Sequence, residues 1–115
     1  MDLNSVILIG RLVKDVEIET TNTGKNYCNF SIAVNGYKDD DVSFISCNAW
    51  EKTAELLTKY CGKGSKICVE GSLKQDRWEK DGKKQSKTKV FVNRVYFLDT
   101  KNNSEKKSSE NSFDY

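Results

Sequence analysis

The sequence predicts an all-β domain: a five-stranded barrel with one short helix between strands 3 and 4, followed by a disordered C-terminal tail. Three observations carry this. Apolar segments rich in Val, Ile, Phe and Tyr fall at roughly 4–12, 26–35, 42–50, 65–78 and 86–99. Turn residues separate them, and only one stretch has helical spacing. Five strands with a single helix after the third is the element order of an OB-fold barrel. On element count alone, a plain five-stranded sandwich fits as well.

The first segment holds Val6-Ile7-Leu8-Ile9, the longest aliphatic run in the chain. Thr21-Asn22-Thr23-Gly24 marks the turn into the second, and Gly36 with Asp39-Asp40-Asp41 the turn into the third. Lys52 to Cys61 reads as the helix, with Ala54, Leu57 and Cys61 on one face and Gly62 as its stop. Asp81-Gly82 is the turn between the last two strands. Composition changes near Thr100. Seven of the fifteen residues from Lys101 to Tyr115 are Ser or Asn, too polar to offset the entropy of ordering. The expected organisation is a domain over 1–100 and a disordered tail over 101–115.

Composition removes several functions. The chain has 115 residues and no His, so Ser-His-Asp and Cys-His catalysis and His-containing zinc sites are unavailable. Cys28, Cys47, Cys61 and Cys68 lack a Cys-x-x-Cys knuckle, and the expected state is buried or half-buried free thiols. No run approaches the ~20 apolar residues of a membrane span, and the N-terminus lacks signal-peptide character. A cytoplasmic, nucleoid-associated chain without cofactor or metal is expected. Asp39-Asp40-Asp41 reads as a solvated turn rather than a nuclease metal site, and no phosphate-cradling Gly loop is present.

The most informative segment is Ser43 to Trp50. Alternate side chains of a strand face opposite ways. Ser43, Ile45, Cys47 and Ala49 form a small set suited to a barrel interior, which places Phe44, Ser46, Asn48 and Trp50 on a partly wet face. In the fourth strand Ile67, Val69, Gly71 and Leu73 take one side, and Glu70, Ser72, Lys74, Asp76 and Trp78 the other. Net charge is only +2, yet Lys74 to Arg94 holds eight Lys or Arg against Asp76, Glu79 and Asp81. Aromatic faces among Lys and Arg suit single-stranded nucleic acid, whose bases stack and whose phosphates pair with cations. A subunit interface would also use such aromatics.

These residues place the chain beside a known family. Asn4-Ser5-Val6-Ile7-Leu8-Ile9-Gly10-Arg11-Leu12, Asn29-Phe30-Ser31-Ile32-Ala33-Val34 and Trp50-Glu51-Lys52-Thr53-Ala54-Glu55 occur in order. Lys63-Gly64-Ser65-Lys66-Ile67-Cys68-Val69-Glu70-Gly71-Ser72-Leu73 and Arg77-Trp78 before Asp81-Gly82 complete the set. Over about residues 3–99 the chain resembles the bacterial single-stranded DNA-binding proteins, including their phage- and plasmid-borne relatives. The resemblance implies an OB fold, a homotetramer, and non-catalytic binding and protection of single-stranded DNA in replication, recombination and repair. It implies stacking on Phe44, Trp50, Trp78 and Tyr37, and phosphate contacts from Lys52, Lys63, Lys74 and Arg77. It also implies that Val6, Leu8 and their neighbours help pair subunits. The family's acidic, Pro-Phe-ended tip, which recruits replication and repair proteins, has only a reduced counterpart in Phe113, Asp114 and Tyr115. The alternative is an OB-fold accessory module of primosome type, acting mainly through protein contacts. Residues alone leave DNA and RNA equally open.

Overall fold

The computed structural model describes residues 2–99, so the expected tail and its tip at Phe113, Asp114 and Tyr115 lie outside the described residues. The elements run β1 (Val6–Leu12), β2 (Glu19–Thr20), β3 (Asn26–Asn35), β4 (Val42–Trp50), α1 (Glu51–Tyr60), β5 (Lys66–Lys80) and β6 (Lys83–Phe97). Strand order is β1-β5-β6-β4-β3-β2, and β1 also pairs with β3. That second pairing closes the sheet into a ring, which decides for the OB barrel over the sandwich. The two-residue β2, beside Tyr27 and Asn26 of β3, is a sixth strand that the sequence did not reveal. Two exposed residues are too few to show a period.

Closure depends on β1 changing partners. Its first six residues pair with β5, and Arg11 and Leu12 also meet Ala33 and Ile32 of β3. Gly10 sits at this corner, where a Cβ would come within 2.6 Å of the Ala33 carbonyl oxygen. Only a residue without a side chain lets the backbones approach so closely. Inward from the ring point Leu12, Cys28, Ile32, Cys47, Ala49, Ile67, Val69 and Val90, all essentially buried. Ala54 and Leu57 of α1 add to this core. Cys28, Cys47 and Cys61 are buried and Cys68 is half-buried.

Val6 and Leu8 are half-buried against that core. The outer face of β1 belongs instead to Ile7 and Ile9, 64% and 50% exposed. Ser43, assigned to the interior by alternation, is exposed because β4 begins beyond the barrel's rim.

β5 and β6 are longer toward the turn than their apolar residues suggested. They pair in register out to Lys80 and Lys83, around Asp81 and Gly82 at φ 53° and 76°. Two successive left-handed residues make the tight hairpin turn whose twist matches the strands, so pairing runs to the tip despite its charge. Beyond Leu73 and Val90 the two strands pair, among the described residues, only with each other and form an arm. At its root the Asn4 side-chain amide brackets Leu73, donating to its carbonyl at 2.9 Å and accepting from its N–H at 2.8 Å.

Candidate nucleic-acid interface

The outer face of β3 and β4 is set by their antiparallel register. Tyr27, Asn29, Ser31 and Ala33 lie opposite Trp50, Asn48, Ser46 and Phe44. Phe44 is 68% exposed. Trp50 is half-buried because its ring stacks on Tyr27, centroids 4.9 Å apart and planes 26° from parallel. Its indole N–H donates to the Asn48 side-chain oxygen. The Asn48 amide in turn donates to the Asn29 side-chain oxygen at 2.8 Å. Asn48 is thereby sealed at 4% exposure, a buried polar residue fully engaged in holding the indole. The Tyr27 hydroxyl donates to Glu19 of β2 at 3.1 Å, and that carboxylate raises the phenol above its ordinary pKa. Two strands thus fix an aromatic plate.

The arm supplies the second half. Lys74, Asp76, Trp78 and Lys80 lie opposite Lys89, Lys87, Gln85 and Lys83, so these eight residues share one face. Trp78 is 46% exposed. Lys74 holds its ammonium 5.7 Å from the ring centroid of Phe91, which pairs with Asn48 and so continues the β4 outer face. Between the arm and β3–β4 runs a cleft of about 530 Å³. Asn29, Ser31 and Ser46 form one wall; Asp76, Trp78, Lys87 and Lys89 form the other, and Lys14 and Asp15 also line it. Hydroxyls and amides on one side, an indole among lysines on the other, and Val13, Phe30 and Cys47 in the lining give a channel of mixed polarity with a flat stacking surface.

The remaining candidates lie outside the lining of this channel. Tyr37 stands fully exposed on the loop between β3 and β4. Lys52 is exposed in the first turn of α1, two residues past Trp50. Lys63 is exposed after α1, and its backbone N–H donates to Asp15 at 2.7 Å, which holds it at the rim of the cleft. Arg77 takes the other face of the arm from Trp78 and donates to Gln75 at 2.6 Å. The structure therefore gathers Phe44, Trp50, Trp78 and Lys74 on one continuous surface, with Lys63 at its rim and Arg77 behind the arm.

Sequence reasoning missed Tyr27, Phe91 and the Asn29–Asn48 bracket. Strand alternation extended to 26–35 would have placed Tyr27 beside Asn29 and Ser31. Phe91 was less accessible to that argument. The register of β5 on β6 shifts at Glu70/Gly71, so that Val95 and Val92 both face inward although three residues apart.

The model of the single-strand binding protein family matches residues 3–98. The chain belongs to that family. Among its similar members, a single-stranded DNA-binding protein of Treponema pallidum is 37% identical over 103 residues, covering 84% of this chain and 58% of the relative. The chain thus spans little more than half the length of that relative. Single-stranded DNA-binding protein 1 of Synechocystis is 39% identical over 106 residues and 88% of each chain. Among solved structures, a family protein of Plasmodium falciparum in complex with single-stranded DNA superposes with a TM-score of 0.78 at 26% identity. That match covers 86% of this chain and 97% of the other. Among the described residues no helix is long and apolar enough to cross a membrane.

Proposed function

We propose that this chain binds and protects single-stranded DNA without catalysis and largely without regard to sequence, in replication, recombination and repair. The observation that carries the reading is the continuous outer face on which Phe44, the Tyr27–Trp50 stack and Trp78 are spaced among Lys74 and Lys87. Bases stack on the rings; phosphates are met by the lysines, with Lys52, Lys63, Tyr37 and Arg77 engaged as the strand passes the rim and arm. Duplex is rejected because paired bases hide the faces that stacking needs.

The working form is a homotetramer in the cytoplasm, associated with the nucleoid. Ile7 and Ile9, exposed beside Tyr96 and Leu98, favour subunit pairing through the outer face of β1, β5 and β6. Residues 1–100 are the binding domain and 101–115 a tail. Phe113, Asp114 and Tyr115 are its candidate contacts for replication proteins.

Trp fluorescence of the full chain, titrated with oligo-dT and with duplex at low and high salt, tests the reading. Quenching by oligo-dT alone, persisting in part at high salt, is expected. Absence of quenching at low salt, with a dimer by light scattering, would replace it by the protein-contact module.

A further inference from the structure

One acid stands in the basic face of the arm. Asp76 shares that face with Lys74, Lys80, Lys83, Lys87 and Lys89, and its carboxylate takes the Lys89 ammonium at 2.8 Å. The pair lies on a wall of the cleft, opposite Ser46. The Lys89 side chain is only 22% exposed, so its ammonium has few directions in which to turn, whereas Asp76 is 43% exposed. The hydrogen bond from Lys89, with Lys74 and Lys87 nearby, holds the Asp76 carboxyl below the usual carboxylate range, so it is anionic wherever DNA would bind.

We propose that Asp76 is a built-in competitor for the nucleic-acid backbone: it occupies Lys89 in the free protein, and a phosphate engages Lys89 only by displacing it. This rests on the cleft being the single-strand site. A phosphate arriving at Lys89 exchanges one anionic partner for another. The freed Asp76 is left facing a polyanion and must take a cation from solution. Lys89 therefore adds little to affinity and little to the release of ions that makes such binding salt-sensitive. The local balance of the arm overstates its grip, and the strand is held loosely enough at this point to be released or passed on.

The test is oligo-dT binding by the full chain across a salt series, for Asp76→Asn, Lys89→Gln and the double variant. Asp76→Asn is expected to bind roughly two- to fivefold tighter at low salt, the reach of one exposed ion pair. Its plot of log affinity against log salt should steepen by about 0.7, one more phosphate neutralised. Lys89→Gln should cost little in the natural chain and should erase the whole gain in the Asp76→Asn background, a coupling that a double-mutant cycle reads directly. Glu79→Gln controls for general charge, since Glu79 lies on the opposite face of the arm. An equal gain from Glu79→Gln, or an unchanged or weaker Asp76→Asn, overturns the proposal while leaving the single-strand reading intact. Failure of the natural chain to bind oligo-dT at all overturns both. Asp76→Ser serves as a second variant should Asp76→Asn fold poorly.

Discussion

Tyr27 lies directly across from Trp50 on adjacent antiparallel strands, and the two rings stack at 4.9 Å. The pair is expected to link stability to binding. Trp50→Ala should weaken oligo-dT binding by roughly 1–3 kcal/mol, the usual worth of one stacked base. Tyr27→Ala removes the ring's support, and it should lower stability by about 0.5–1.5 kcal/mol in a denaturant titration as well as weaken binding. An unaltered affinity in Tyr27→Ala would mean that Asn48 alone orients the indole.

Trp78 and Lys74 share one face of the arm, and variants at the two should separate the two kinds of contact. Trp78→Ala should lose roughly 1–3 kcal/mol of binding at every salt concentration, because stacking releases no ions. Lys74→Gln should instead flatten the salt dependence by about 0.7, with a loss that vanishes at high salt. Both variants should melt like the natural chain, since neither side chain enters the barrel. A joint loss of fold in Trp78→Ala would make that indole part of the arm's packing.

The buried thiols set an alkaline limit. Burial raises Cys28 from 9.0 to about 11 and Cys47 to about 12. Both folded values exceed the unfolded one, so the unfolded chain ionises first as pH rises. Stability from these sites is fully present below pH 9 and declines from there toward pH 11–12. Denaturant midpoints across that range should fall less steeply in Cys47→Ala than in the natural chain. At pH 8, iodoacetamide should leave Cys28 and Cys47 unmodified until the protein unfolds, as read by mass spectrometry.

Ending the chain at residue 100 should change oligo-dT affinity by less than about twofold, because the tail's charges cancel and the stacking rings all precede it. A larger loss in the same titration would place residues 101–115 on the DNA or between subunits.

The strands were legible where one side of the sheet is dry. In β4, alternation separated Cys47 and Ala49 from Phe44 and Trp50, and the structure keeps them apart. It was mute where the cause is nonlocal. Nothing near Glu19 announces a strand; β2 exists because β3 offers it an edge. The depth of Asn48 follows from the indole laid over it rather than from its own polarity. The shift at Glu70/Gly71 inverts which residues of β6 face out, so Phe91 escaped notice. Arg77 and Trp78 are neighbours in the chain, and for that reason they face opposite ways. The cleft itself is a product of curvature, which brings Ser46 and Trp78 to one place from strands with a helix between them.

The arm past Leu73 and Val90 has a bearing on how copies of this chain coexist. Among the described residues its two strands bond only to each other, so among them each leaves a row of amides and carbonyls unpaired along its other side. Such a row is a template on which a second molecule can zip, and crowding many copies along one filament multiplies the chance. Lys74, Lys80, Lys83, Lys84, Lys87 and Lys89 line that ribbon. Two such ribbons repel. Those of them proposed to meet DNA would thus also act as colloidal guards, and a chain stripped of them to weaken its hold on DNA would acquire an adhesive edge.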